Sequence, residues 1–523
     1  YMLPGILIGA ASQELEPATA TRFLISVVVA LIILWLTMWL IKWIIALFFR
    51  LVDYGINALW VSIEKKAFLS SFCHWLRDPA NPSSHSQFTI FMSWIAITII
   101  SIWAAVSTLH QGIITALNQP AHQLLLNIHA SLATHIFVAI TLLSAHGVLI
   151  TAMFVSFIWL LINKHWQIAW HWLLVPILVA GVVGLSNVLI FYPRPSGLVQ
   201  IITGNSFPSS QVALSISLYS FFGVIITRPM QLPLRRQMVY YSLITLCILI
   251  IFSRLYLGIH WVTDVIAGVL CGIWVLLLVT LSFRRHVIYP LASGKFSAVF
   301  LITLSLAWSV QLLQNYRDYI ANFTPFWPTY HITQTNWWDQ STTSQPLYRS
   351  NRIGKPVQIM NVQWQGNLPD IINALTKQGW QIQPKPGIIS AINSLSSHDK
   401  QKKIPLLQPL YLGQKPLVVA MKKGTGIKQI VLLQLWQSKI TLTDNNTPLW
   451  VGTIEYQSPH PHKFWQSHYY QAKFVNLPSP INELMIFSNM YQTKIVYYPP
   501  THRPPTSPAY EWEGGVIFIK PGK

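Results

Sequence analysis

Three polar clusters contain residue types that suit phosphate chemistry. In the last, Ser253-Arg254 is followed by five residues, then His260, three more residues and Asp264. A histidine and a carboxylate four apart share one face of a helix. A carboxylate that fixes the imidazole tautomer leaves the other ring nitrogen as a nucleophile. The planar guanidinium of Arg254 matches phosphate oxygens, and Arg194 in the run FYPRP offers a second one. Ser209 in SFPSSQ opens an apolar run, where its hydroxyl and the free N–H groups of a helix start suit an anion. The simpler alternative is a His260–Asp264 pair that only ties two helix ends together.

These clusters need long apolar elements to hold them. The 523-residue chain is 52% hydrophobic and 10% charged, with a mean hydropathy of +0.44. A soluble chain carries about 25% charged residues, so this composition describes a polytopic membrane protein. Apolar runs of spanning length are predicted at 23–49, 88–109, 135–162, 166–192, 212–226, 238–252, 261–283 and 296–313. Residues 50–86 read as an interfacial helix and loop, and 110–132 as interfacial. The chain carries a net charge of +20, and between the predicted spans the basic residues gather in loops on one side: Arg50, Lys65, Lys66, Arg77, Lys164, Arg228, Arg235, Arg236, Arg284, Arg285 and Lys295. The positive-inside rule puts that side in the cytoplasm and the three polar clusters together on the opposite face. No nucleic-acid motif accompanies the charge, so nucleic acid is not an expected partner. Cys73, Cys247 and Cys271 fit neither a disulfide framework nor a zinc site.

After the last span the composition turns to Pro, Gln, Asn, Trp and Tyr. Strands are predicted at 357–364, 417–421, 430–436, 450–456, 494–498 and 516–519. One helix is predicted between a cap at Asn367 and a stop at Gly379, with Leu368, Ile371, Ile372 and Leu375 on its apolar face. The fold class expected is an all-α membrane domain of about eight helices followed by a soluble α+β domain. Its divisions are 1–86 (first helix and linker), 87–290 (six-helix core), 291–315 (last helix) and 316–523 (soluble domain).

The central clusters resemble the motifs of the type 2 phosphatidic acid phosphatase superfamily: K-x6-R-P, then P-S-G-H, then S-R-x5-H-x3-D. That superfamily includes lipid phosphatases, undecaprenyl-pyrophosphate phosphatases and vanadium haloperoxidases, and the resemblance covers roughly residues 90–285. It implies that His260 attacks phosphorus to form a phosphohistidine, that Asp264 orients it, and that Arg194, Ser209 and Arg254 hold the phosphoryl oxygens. It implies no metal or other cofactor, because arginines supply the positive charge. Two positions depart from the pattern. Asn187 stands where the family has lysine, and Gln211 where it has the histidine assigned to protonating the leaving oxygen. Losing a general acid typically costs about 10²–10⁴ in rate, less for a pyrophosphate leaving group. Tyr192 stands where relatives often carry arginine.

The stretch from VQWQGNLPDIINALTKQGW to PLWVGTIEY resembles the LssY C-terminal domain. Residues 1–22 resemble the tail of a DedA-type lipid-transport domain, so the chain is expected to be the C-terminal part of a DedA–phosphatase fusion. His460, His462 and His468 read as an exposed loop rather than a metal site, and 398–403 as a solvated basic tract. Gly268-x3-Gly272 reads as close packing within the core. Two functions remain open. One is a phosphatase for a membrane lipid phosphate or pyrophosphate, such as an undecaprenyl carrier. The other is a degenerate module that binds lipid phosphate or scaffolds an envelope lipid-transport complex. A vanadate-dependent peroxidase is a third, weakened by the missing cation. The expected partners are the bilayer, a lipid phosphate and a protein bound through the C-terminal domain. The expected location is a bacterial inner membrane, with the site and the C-terminal domain in the periplasm.

Overall fold

The computed structural model describes residues 54–63 apart from 57, 86–285 apart from 128, 130 and 200–203, and 291–339 apart from 328. It further describes 347–383 apart from 352, 353 and 355, then 409–423, 430–459 apart from 445 and 446, 470–471, 480–485, 491–498 and 514–522. The predicted span at 23–49, the basic tract at 398–403 and the three histidines at 460–468 lie outside these residues. The chain divides into two compact units, with the boundary between Phe326 and Trp327.

The first unit is helical, and seven of its described segments are long and apolar enough to cross a membrane. They are α1 (Ser86–Leu109), the pair α3 (Ser131–Leu142) and α4 (His146–Ile162), α5 (Trp166–Leu189), α6 (Ser210–Thr227), α7 (Pro233–Tyr256), α8 (Val262–Arg284) and α9 (Ser293–Asn322). The predicted interfacial stretch at 110–132 contains the ten-residue helix α2 (Asn118–Asn127). The predicted span at 135–162 is interrupted, because residues 143–145 turn through i→i−3 bonds and the Ser144 hydroxyl donates to Thr141 O at 2.6 Å. This break makes His146 the first residue of a new helix.

α6 forms the centre of the bundle. Nearly all its side chains from Val212 to Thr227 are buried. Trp172, Phe296 and Phe300 close around it in edge and tilted ring contacts, Phe300 against Phe222 of α6 itself. The outward faces are apolar as well: Ile99, Trp103, Val188 and Leu313 are exposed, as suits helices facing hydrocarbon. Gly268 and Gly272 of α8 face α6. A Cβ on Gly268 would lie 2.7 Å from Ser209 O, and one on Gly272 would lie 2.8 Å from Ala213 O. The small-residue spacing therefore serves packing within the unit. Gly268→Val is expected to push Ser209 and the start of α6 away from α8. The destabilisation should be about 1–3 kcal/mol, read as a lowered Tm in detergent together with reduced phosphate release.

The second unit is α+β. Its main sheet runs β10 (Tyr491–Tyr497), β11 (Gly515–Pro521), β4 (Val362–Gln365), β8 (Pro448–Pro459), β7 (Ile430–Leu442), β6 (Val418–Lys423) and β5 (Gln381–Ile382), with β1 (Tyr330–Ile332) added parallel on β7 and β9 (Tyr470–Gln471) on β8. The strand predicted at 357–364 is two: β3 (Pro356–Ile359) pairs with β2 (Tyr348–Ser350), while β4 joins the main sheet. The change occurs at buried Asn361, whose side chain bonds both Ile454 N (2.8 Å) and Ile454 O (3.0 Å) as a neighbouring backbone would. The predicted helix is present as α11 (Leu368–Lys377), following α10 (Gln334–Asp339), and it ends at Gly379 with φ +80. Its apolar face covers the sheet through Ile371, Ala374 and Leu375, against Trp364, Leu433, Ile454 and Ile517.

Candidate active site

The site is assembled where α5 ends, α6 begins, and α7 turns into α8. The turn between α7 and α8 is set by Gly258 at φ +69. Ile259 N donates to Arg254 O (3.3 Å) and Gly258 N to Leu255 O (3.0 Å), the bond pair of a Schellman C-cap. It holds Arg254 in the last turn of α7 and reverses the chain, so that His260 follows at once. Asp264 is the third residue of α8, and its Oδ2 accepts the Trp261 N–H at 2.8 Å.

This geometry changes the expected relation between His260 and Asp264. His260 precedes the helix, so the two residues do not share a helical face. His260 Nδ1 lies 3.7 Å from Asp264 Oδ2, longer than a hydrogen bond. Ser206 completes the link: its hydroxyl donates to Asp264 Oδ2 and lies 3.5 Å from His260 Nδ1. The carboxylate is shared among a helix cap, a hydroxyl and the imidazole. His260 Nε2 is left on the opposite side of the ring. Burial, first of all, pushes the His260 imidazole down to about 4, with the positive charges of Arg254 and Arg194 acting in the same direction. His260 is therefore neutral near pH 7, with an electron pair free on one ring nitrogen.

Both arginines belong to the same site. Arg254 is buried, 4% exposed, and Arg194 is half-buried. Arg194 acts electrostatically on Arg254, so two like charges stand close together. Burial lowers the Arg194 pKa, and Asp264 works against that shift. Among the described residues neither arginine forms an ion pair. The Nε atoms of both, Ser209 Oγ, Gln211 Oε1 and Asp264 Oδ1 are all buried without a hydrogen-bond partner. Ser209 is fixed by its own N–H, which donates to Asp264 O at 3.0 Å, and it caps α6. Buried cations without carboxylates are costly unless an anion joins them. Of these buried atoms the two Nε–H groups and the Ser209 hydroxyl can donate to an oxyanion, while Gln211 Oε1 and Asp264 Oδ1 can only accept.

The two departed positions are differently placed. Asn187 is exposed near the end of α5, and its carbonyl accepts from Asn205 Nδ2 at 3.2 Å. Gln211 lies in the first turn of α6, with its Nε2 3.4 Å from His146 Nδ1. Tyr192 is tied into the loop: its hydroxyl accepts from Asn118 Nδ2 (3.2 Å), which also donates to Thr263 Oγ1 (2.9 Å).

Asn205 and Ser206, beside the second motif, are functional positions that sequence reasoning missed. Asn205 Oδ1 accepts from Tyr192 N (3.0 Å) and Phe207 N (3.1 Å), while its Nδ2 donates to Ile190 O (2.5 Å) and Asn187 O. One side chain thus fastens the loop that carries Arg194 to the loop that carries Ser206. Further ties run from Trp261 Nε1 to Pro193 O (2.7 Å) and from His122 to Ser196 O (2.9 Å). Asn205→Ala is expected to cost about 2–4 kcal/mol through the lost bonds, and to lower phosphate release by misplacing Arg194. Thermal unfolding and a phosphate assay on the same preparation measure both effects. The signal available in the sequence was the pair Asn205-Ser206 immediately before Phe207-Pro208, with side chains that bond local backbone. No spacing rule marks His146.

Comparison with curated proteins gives no match. A solved structure described as the first transmembrane PAP2 type phosphatidylglycerolphosphate phosphatase from Bacillus subtilis is similar at 21% identity. The match covers 36% of this chain and 94% of that one, with a TM-score of 0.32. Family models match both regions singled out from the sequence: residues 342–460 match LssY C-terminus, and residues 187–288, which hold all three polar clusters, match the PAP2 superfamily.

Proposed function

We propose that this protein is a membrane phosphatase for a lipid phosphate or pyrophosphate, working through a phosphohistidine on His260. The observation that carries the reading is the pair of guanidiniums, Arg194 and Arg254, which form no ion pair among the described residues and stand beside the buried, neutral His260. Phosphoryl transfer depends on positioning and on stabilising charge at the equatorial oxygens. Arg194, Arg254 and Ser209 would hold those oxygens, and His260 Nε2 would attack phosphorus. Asp264 and Ser206 would keep the proton on Nδ1 and stabilise the imidazolium that forms.

The division of labour proposed assigns the chemistry to residues 87–290 and a protein-binding role to 316–523. The positive-inside reading orients the site toward the periplasm of a bacterial inner membrane, since Lys164, Arg235, Arg236 and Arg284 all lie at the opposite helix ends. A DedA-type segment upstream would make this the hydrolytic half of a lipid-handling fusion.

The uncharged side chains at Asn187 and Gln211 favour a second reading, a lipid-phosphate-binding scaffold without turnover. The purified chain in lipid nanodiscs, assayed for phosphate release from phosphatidic acid, other lipid phosphates and undecaprenyl pyrophosphate, separates the two. Release that His260→Ala abolishes supports the phosphatase. A wild type inert on every substrate, with release gained in Asn187→Lys/Gln211→His, supports the scaffold.

A further inference from the structure

His146 lies outside all three polar clusters, yet its ring reaches the site. It is the first residue of α4, just after the break at residues 143–145. Its Nδ1 lies 3.4 Å from Gln211 Nε2, in the first turn of α6 beside Ser209. We propose that His146 is the general acid that protonates the leaving oxygen, with Gln211 as the residue that positions it. This inference rests on the phosphatase reading and deepens it.

The chemistry requires such a group. Expelling a lipid alkoxide at neutral pH needs a proton, and Gln211, Ser209 and the arginines have none to give there. His260 is occupied as nucleophile. His122 is committed to Ser196 O, with its ring against Trp261. Among the described residues this leaves His146 as the imidazole in contact with the phosphate-binding turn.

The placement also fits a lipid substrate. A phosphoryl group held by buried Arg254 and His260 would leave the larger lipid body outside, with the leaving oxygen toward the exposed residues, of which His146 is one. Glutamine is a suitable partner for a group that changes charge. Its Nε2 donates to Nδ1 of the neutral ring, which leaves the proton on Nε2. After rotation its Oε1, now without a partner, accepts from Nδ1–H of the imidazolium.

The step balances. The electron pair on His260 Nε2 forms the N–P bond, the P–O bond to the lipid breaks, and the leaving oxygen takes a proton from the His146 imidazolium. Water then attacks the phosphohistidine, giving its proton to neutral His146. The N–P bond breaks, inorganic phosphate leaves, and both histidines return to their starting states.

The test compares leaving groups on the full chain in nanodiscs. For His146→Gln, release from phosphatidic acid should fall about 10²–10⁴-fold. The first-turnover burst of p-nitrophenol from p-nitrophenyl phosphate, which precedes the water step and whose leaving group needs little protonation, should fall by less than about tenfold, which also shows that the variant is folded. His146→Gln/Gln211→His should recover alkyl phosphate release, because it restores an imidazole beside the same turn. Equal losses on both substrates, or no loss on either, would overturn the assignment while leaving the phosphatase reading intact. A wild type that releases phosphate from none of phosphatidic acid, other lipid phosphates, undecaprenyl pyrophosphate and p-nitrophenyl phosphate would overturn both.

Discussion

His260→Ala is expected to lower lipid phosphate hydrolysis by about 10⁴–10⁶-fold, the scale seen when a covalent nucleophile is removed. The residual rate should be insensitive to hydroxylamine trapping, whereas the wild type should yield an acid-labile phosphohistidine from a labelled substrate. The pH dependence has a definite sign. Burial lowers the His260 pKa, so the free enzyme keeps this imidazole neutral well below the 6.5 of an ordinary histidine. The acid limb of kcat/KM that belongs to His260 should accordingly lie below pH 6.5. In His260→Gln that limb should vanish along with the activity. The same shift affects stability, because the unfolded chain binds a proton at His260 that the folded chain resists. Stability from this site should be full above about pH 6.5 and should decline as the pH falls toward 4. Substantial hydrolysis by His260→Ala would remove the phosphohistidine step.

Arg254→Met should separate stability from function. Removing a guanidinium that stabilises transferring phosphoryl oxygens costs about 10³–10⁵ in rate. The charge is buried and unpaired among the described residues, and replacing buried charge by an apolar side chain of similar volume is often neutral or stabilising. The variant is therefore expected to unfold at the same or a higher temperature than the wild type while losing nearly all phosphate release. Arg254→Lys should rescue little, because a compact ammonium cannot reproduce the planar fork. Inorganic phosphate or vanadate should raise the wild-type Tm and leave the Arg254→Met Tm unchanged. A variant that falls in Tm and keeps its rate would show that Arg254 serves packing instead of phosphate.

Much of the fold follows from local pattern. The apolar runs define helices whether or not their partners are known, since a backbone in hydrocarbon must satisfy its own hydrogen bonds. The apolar runs at 430–436 and 450–456 likewise specify strands, buried almost continuously in the sheet, and the capped face of 367–379 specifies a helix because burial on one side fixes its period. Where the prediction failed in detail, a side chain had replaced a backbone partner. Asn361 takes both bonds of Ile454 and splits one predicted strand in two. Ser144 turns the chain inside an apolar run and restarts the helix at His146.

The candidate site divides in a similar way. Sequence alone singled out its proposed reagents: Arg194, Ser209, Arg254, His260 and Asp264, all at span ends that the structure places together. Residue type and spacing suffice for that, because guanidinium, hydroxyl and imidazole chemistry belongs to the side chain itself. Tertiary structure decided how they act. His260 and Asp264 communicate through Ser206, more than fifty residues away in the chain, and a helix cap takes a share of the carboxylate. The two departed positions also part company in space, one exposed at Asn187 and the other beside His146. The physical reason is that hydrogen bonds between residues distant in sequence depend on how α4, α6 and α8 pack. That packing is carried by the glycines of α8 and the aromatic shell around α6, and no periodicity within a single segment encodes it.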